Sequence, residues 1–268
     1  MSILEVEARG RVRVLHLNRP EKRNALSGVL ADAIEAALRE GDRDPAVGAM
    51  VLAGRGPTFS AGADLAEFLE LARLDPAGLY ERGRTGLGLF GLQAELQTPV
   101  VAAARGHVLA GGVGLLLVAH LAVGADDLVL GLPEIRRGLF PYTVLPLLAR
   151  AVGERRAMAL ALSGRTISAD TALDWGLVDA VVPAEQVLDR AMEEAERLAA
   201  VDPVVIRSAM EAYRALGAGA LQPRLAHLAL LRNLALSAPG LAAAAEAFLS
   251  GSAATSAHAG GEAKGSRP

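Results

Sequence analysis

Residues 58–65, Thr58-Phe59-Ser60-Ala61-Gly62-Ala63-Asp64-Leu65, form a stretch whose types suit chemistry done by the main chain. An apolar run, Met50-Val51-Leu52-Ala53, ends just before it, so a buried strand is expected to break there into a tight loop. Ser60, Ala61, Gly62 and Ala63 are small enough to let another group reach the backbone, and Asp64 stands where it would cap a helix starting near Leu65. N–H groups exposed at such a place can hold an anion or an oxygen on which negative charge develops. Residues 106–117 repeat the logic: an apolar run at 100–104, then a glycine-rich turn, then an uncharged helix beginning at Gly111-Gly112. The start of a helix presents unpaired N–H donors and the positive end of its dipole. Taken singly, each stretch is also compatible with an ordinary strand-to-helix turn. Brought together, they would supply the two donors of an oxyanion hole.

The rest of the chain must position these turns. Residues 3–8 and 12–17 predict a hairpin around Arg9-Gly10-Arg11, and a helix follows from Ser27 with Val29, Leu30, Ile34, Ala37 and Leu38 on one face. Strands at 48–53 and 99–104, separated by helical patterns, predict an α/β architecture. Residues 66–97 read as helical, with Glu67 and Glu70 either lining a cleft or forming a charged surface face. Short strands are expected at 121–124 and 128–132, then a surface segment at 133–141 leading into a helix through Leu145 and Val152. Helices at 154–163, 184–201, 203–216, 222–236 and 240–249 dominate the remainder, interrupted by a helix and strand within 168–182. Residues 250–268 are rich in Ser, Ala and Gly without periodicity and predict a disordered tail.

Composition narrows the function classes. With 27 basic and 30 acidic residues spread along 268, no basic stripe invites a nucleic acid. There is no cysteine, which removes disulfides, thiolate catalysis and thiolate metal sites, and the five histidines have no i, i+4 pairing that would form a zinc helix. No metal site is therefore expected. No apolar run reaches the ~18 residues of a membrane span. The N-terminus leads directly into a strand pattern, so a cytoplasmic location is the expectation.

Asn18-Arg19-Pro20, Asn24-Ala25-Leu26, residues 59–65, Gly111-Gly112, Pro133-Glu134 and Gly138-Leu139-Phe140-Pro141 together resemble the enoyl-CoA hydratase/isomerase (crotonase) family. Residues 164–169 and 172–178 resemble the same family's later signature, and the likeness runs from about Val12 to Leu249. The resemblance implies a crotonase-like (ClpP/crotonase) spiral of strand-strand-helix units. It divides the chain into an α/β core at 1–195, a helical trimerisation region at 196–249 and the tail at 250–268. It also implies an acyl-CoA thioester as substrate, coenzyme A entering only as part of it, and a homotrimer or dimer of trimers.

By the same resemblance, the N–H groups of Ala63 and Gly111 would hold the thioester oxygen and Glu134 would carry the proton. Arg23, Asn24, Ala25, Ala61, Asp64, Leu65, Gly112 and Tyr142 would contact substrate. Lys22 and Arg23 also read as plain solvated surface, and His107 beside the turn as a structural histidine. Family hydratases carry a second glutamate three residues after the oxyanion glycine, where this chain has Gly114. A carboxylate restored there would depend on the room left by Val113 and Leu115. The residues that remain favour an isomerase using one carboxylate over a two-glutamate hydratase. The alternatives are a catalytically weak scaffold subunit and a 3-hydroxyacyl-CoA hydrolase, although the family's hydrolases have an aspartate where Tyr142 stands.

Overall fold

A computed structural model describes residues 2–71, 73–78, 87–217 and 246. β1 (Leu4–Arg9) and β2 (Val12–Leu17) make the expected hairpin, paired from Leu4↔Leu17 to Arg9↔Val12 with Gly10 turning at φ 58°. α1 (Gly28–Arg43) follows. Ser27 Oγ accepts from the Leu30 N–H and caps it, a contact worth about 1 kcal/mol. Leu30, Ile34 and Leu38, spaced at i, i+4, i+8, give α1 the apolar face it buries.

β3 (Ala49–Gly54) and β4 (Val100–Ala104) continue the sheet in parallel, followed in space by β6 (Leu121–Ala125) and β9 (Ala180–Val182), so that the order is β1-β2-β3-β4-β6-β9. Between β4 and β6 the chain leaves this sheet to form β5 (His107–Leu109), which pairs in parallel with β7 (Val129–Gly131); β8 (Thr166–Ser168) completes a second, three-stranded sheet. The helices are α2 (Leu65–Leu71), α3 (Leu87–Gly91), α4 (Gly111–Leu116), α5 (Leu145–Val152), α6 (Glu154–Ser163), α7 (Ala169–Asp174), α8 (Val187–Ala199) and α9 (Pro203–Gly217).

Both faces of the inner strands β2, β3, β4 and β6 are largely buried, which explains why β3 and β4 read as continuous apolar runs. Side chains alternate along each strand: Met50 and Leu52 of β3 join α1, Phe59 and α4 in the larger core, whereas Ala49, Val51 and Ala53 pack with α8 through Ala191, Met192 and Ala195. Small residues on the α8 side let that helix lie close to the sheet. Gly48 makes the closest approach, since a Cβ there would fall 2.9 Å from the Ala199 Cα.

The helical expectation for 66–97 holds in part among the described residues: helix covers Leu65–Leu71, residues 76–78 and Leu87–Gly91 and a 3-10 turn covers Leu92–Ala94, whereas 73–75 and 95–97 are not helical; residues 72 and 79–86 lie outside the described residues. β5 is a three-residue strand where a turn had been expected and β8 one where no strand had been expected at 166–167, both held by pairing with β7 and not by a run of their own. The helices expected at 222–236 and 240–249 and the tail lie outside the described residues, apart from Glu246; of the expected trimerisation region at 196–249, residues 196–217 are described and carry the end of α8 and α9. No described helix is long and apolar enough to cross a membrane.

Candidate active site

After β3 the chain runs extended between two partners. On one side the Phe59 N–H donates to Arg105 O at 2.9 Å, the Ser60 N–H to His107 O at 3.1 Å, and the Leu109 N–H to Ser60 O at 3.0 Å. On the other, the Ala61 N–H donates to Arg23 O at 2.9 Å, the Leu26 N–H to Gly62 O at 2.7 Å, and the Asp64 N–H to Leu26 O at 3.0 Å. Leu26 thus bonds to the residues flanking Ala63. The Gly62 carbonyl faces Leu26 and the 62–63 peptide is trans, so the Ala63 N–H points away from Leu26.

The two glycine-rich turns meet main chain to main chain. Gly62, at φ 90°, lies so close to the second turn that a Cβ would fall 2.6 Å from both the Ala110 Cβ and the Leu109 O, and 3.2 Å from the Gly111 N. Gly111 opens α4, so its N–H has no acceptor within the helix. A Cβ on Gly111 would sit 3.7 Å from the Ala63 N. The Ala63 and Gly111 N–H groups are therefore neighbours, and neither donates to the backbone among the described residues.

Ala110 holds this arrangement in an unusual way. Its φ of 52° and ψ of −122° belong to a region normally left to glycine, at a cost of roughly 1–3 kcal/mol. The strained residue is pinned by its N–H, which donates to Gly131 O at 2.9 Å. Three residues beyond that carbonyl stands Glu134, in the 3-10 turn Pro133–Arg137 that Gly138 closes at φ 71°. The backbone bond that fixes the oxyanion turn thus also ties it to the segment carrying the carboxylate.

The Glu134 Oε2 is buried and has no hydrogen-bond partner among the described residues. Burial pushes its carboxyl from the ordinary 4.5 up to about 7, against the opposing pull of its own backbone N–H and of Arg137. Such a group accepts and releases a proton near neutrality. Leu139, just beyond, packs with Phe68 and Leu71 of α2, so the helix that follows Ala63 closes down on the segment that follows Glu134. Tyr142 tilts against Phe140 at 5.2 Å between ring centroids.

Ala25, Ala61, Ala63, Leu65 and Gly111, all partly exposed, come together along these turns, with Arg23 fully on the surface beside them. Three residues expected to touch substrate also have structural tasks. Asn24 is fully buried, its Oδ1 accepting from the Arg19 N–H at 2.9 Å and its Nδ2 donating to Arg55 O at 3.0 Å and Thr58 O at 2.7 Å. Gly112 is buried against the first turn, where a Cβ would lie 2.5 Å from the Ser60 O. Asp64 caps α2 by accepting from the Ala66 N–H at 3.1 Å and pairs with Arg19 at 2.8 Å. Glu67 is tied to α1, accepting from the Gly28 N–H at 2.7 Å, and His107 is exposed.

Sequence reading missed Arg19, Ala110 and Phe90. A Cβ on Gly114 would meet the Phe90 ring at 2.6 Å and Val144 at 3.2 Å, so the space beside Gly114 is controlled by α3 and the start of α5, not by Val113 and Leu115. Among the described residues no three histidine or carboxylate side chains gather to hold a metal ion.

Residues 7–229 match the model of a family described as enoyl-CoA hydratase/isomerase. A Thermus thermophilus protein named "Putative enoyl-CoA hydratase" is 41% identical over 85% of this chain and 90% of its own length. A mevalonyl-coenzyme A hydratase of Aspergillus fumigatus is 36% identical over 74% of this chain and 73% of its own. A solved carnitinyl-CoA dehydratase from Mycobacterium avium superposes with a TM-score of 0.80 at 31% identity, covering 92% of this chain and 97% of that one.

Proposed function

Because the chain belongs to the enoyl-CoA hydratase/isomerase family, enzymes that act on acyl-CoA thioesters, we propose that it moves a proton along an enoyl-CoA by way of an oxyanion-stabilised enolate. In this reading the thioester oxygen accepts from the Ala63 and Gly111 N–H groups. Glu134 removes a proton from C2, the charge spreads onto that oxygen, and the same carboxyl returns the proton at C4. A 3-enoyl thioester becomes a 2-enoyl thioester with no atom gained or lost. Each backbone donor of this kind typically contributes ~10²- to 10³-fold in rate.

The observation that carries the reading is the state of Glu134: a carboxyl whose Oε2 is buried without a hydrogen-bond partner among the described residues, pushed to about 7 by burial. One such group can serve as base and then as acid. At the position three residues after Gly111 the Phe90 ring takes up the space beside Gly114, which supports transfer by one carboxylate over hydration by two.

Hydration of a 2-enoyl-CoA is the second reading, favoured by the names of the relatives. The test follows deuterium entering C2 of a bound thioester, together with turnover of 3-enoyl- and 2-enoyl-CoA. Exchange should appear in the wild type and vanish in Glu134→Gln, whose amide keeps the shape but cannot accept the proton. Undiminished exchange in that variant removes Glu134 from the mechanism; 2-enoyl-CoA hydration faster than 3-enoyl-CoA isomerisation selects the second reading; no exchange in the wild type points to a scaffold subunit.

Assembly as a homotrimer or dimer of trimers belongs to the same proposal. It is supported by family likeness and by Leu228, Leu230, Leu231, Leu234 and Leu236 clustered in the sequence. A monomer in light scattering at micromolar concentration would refute it.

A further inference from the structure

On the face of the large sheet that packs against α8, opposite the side where Leu26, Phe59 and Val113 lie, the strand ends leave a hollow of about 240 Å³. Register builds it. His16 of β2 pairs with Ala53 of β3, and Ala53 with Ala103 of β4, so one row across the sheet runs from an imidazole to two methyl groups. Arg105, two residues beyond Ala103, walls the far end. Ala184, Glu185, Val187 and Leu188 cover the hollow where the 3-10 turn Ala184–Gln186 runs into α8, the Ala184 N–H donating to Asp126 Oδ1 at 3.1 Å. A single buried water needs roughly 10–15 Å³ measured the same way, so the space exceeds one water by more than tenfold.

Two polar groups in this hollow lack partners. His16 is 2% exposed, and its Nε2 makes no hydrogen bond; the nearest carboxylate oxygen, from Glu7, is 3.9 Å away and that glutamate is already bonded to Arg9. The Arg105 Nε is likewise buried and unpartnered, and its guanidinium has no carboxylate within ion-pair distance among the described residues. Arg55 also lines the hollow but is paired with Glu5 at 2.8 Å. Burial, with Arg55 adding to it, pushes His16 below its usual range, so near neutrality the ring offers one N–H and no charge. Glu185 is the acidic residue of the lining and stands at the rim. Unsatisfied buried donors are expensive, and a hollow with room, a guanidinium and a buried imidazole without a partner is suited to oxygen acceptors carrying negative charge.

We propose that this hollow is a binding site for a small oxyanion, a phosphate or carboxylate group, received by Arg105 and His16. It is separate from the thioester site but mechanically close to it. The Arg105 carbonyl accepts from the Phe59 N–H, and the Arg55 carbonyl accepts from Asn24 Nδ2, so the walls of the hollow are also the supports of the segment carrying Ala63.

The test titrates the full chain with inorganic phosphate and, separately, with acetate, against chloride at matched ionic strength, while NMR follows the His16 ring nitrogens. A saturable shift with phosphate alone identifies a phosphate site; with acetate alone or with both, a carboxylate-accepting one. Arg105→Gln should weaken the response by at least about tenfold, the loss of one charge-assisted contact. Ala103→Leu should abolish it by filling the floor. A His16 signal moved no more by either anion than by chloride, or moved equally in folded Arg105→Gln, overturns the proposal. Should either variant fail to fold, the other and the wild-type titration decide. C2 exchange measured on the same samples keeps the outcome apart from the fate of the catalytic reading, since Glu134 lies outside the hollow.

Discussion

Gly111 and Ala110 are neighbours whose residue types run opposite to their backbone needs. Gly111 does not adopt a positive φ, and a Cβ on it would find only ordinary contacts, 3.4 Å from the Leu26 Cδ1 and 3.7 Å from the Ala63 N. The fold therefore does not require glycine at 111. What a methyl there would obstruct is the approach to the Ala63 N–H. Gly111→Ala is expected to change unfolding free energy by less than about 1 kcal/mol while lowering turnover by roughly 10²- to 10³-fold. Denaturant melts beside C2-exchange rates check both halves, and wild-type exchange in a folded variant would show that the two N–H groups are not the oxyanion site. Ala110, by contrast, occupies a glycine-like conformation with a β-carbon in place. Nothing in the residue type announces this, which is why the strain was invisible in the sequence.

Among the elements, α3 and α4 form the coupling on which the reaction type turns. α4 buries Gly114 one turn after Gly111, and the Phe90 ring of α3 rests where a side chain would emerge. Gly114→Ala is expected to cost about 1–3 kcal/mol by overpacking, and the same change in a Phe90→Ala background much less, leaving a coupling energy of the kind neighbouring residues show. Additive costs in a denaturant double-mutant cycle would mean that Phe90 does not occupy that space. A carboxylate placed by Gly114→Glu should support hydration only when Phe90 is also reduced.

The same pair marks the limit of reading elements from sequence. The parallel strands β3 and β4 and the helices α1, α6 and α8 were legible, because each carries its own apolar run or period over several residues. β5 and β8 were not, since three residues carry no period and their existence depends on β7. The two turns were legible from their residue types, and Glu134 was named through the family resemblance alone. The contact of Phe90 with Gly114 joins positions far apart in sequence, which no local pattern encodes, and Asn24 looks like a ligand-facing polar residue until its three backbone bonds are seen.

For the whole molecule, the site is a cost carried by the fold. A carboxyl shifted from 4.5 to about 7 binds its proton more tightly folded than unfolded, so the folded state is favoured fully below the unfolded value and loses that advantage as pH rises through about 7. By the usual conversion the loss amounts to up to about 3 kcal/mol once Glu134 is ionised. Glu134→Gln keeps the volume and removes the charge that burial opposes. The variant should therefore be more stable than the wild type at about pH 8, by roughly 1–3 kcal/mol, and nearly equal to it below the ordinary carboxylate range. Guanidinium unfolding of both proteins at the two ends of that window measures the difference directly. The catalytic counterpart has the opposite slope: C2 exchange by the wild type should rise with pH to a plateau with its midpoint near 7, as the base loses its proton. Removing the charge of Arg137, which holds the carboxyl down, should move both midpoints upward together. A stability gap that does not depend on pH, or an exchange midpoint in the ordinary carboxylate range, would show that Glu134 is solvated in solution and that the buried, protonatable acid is not the state from which the reaction proceeds.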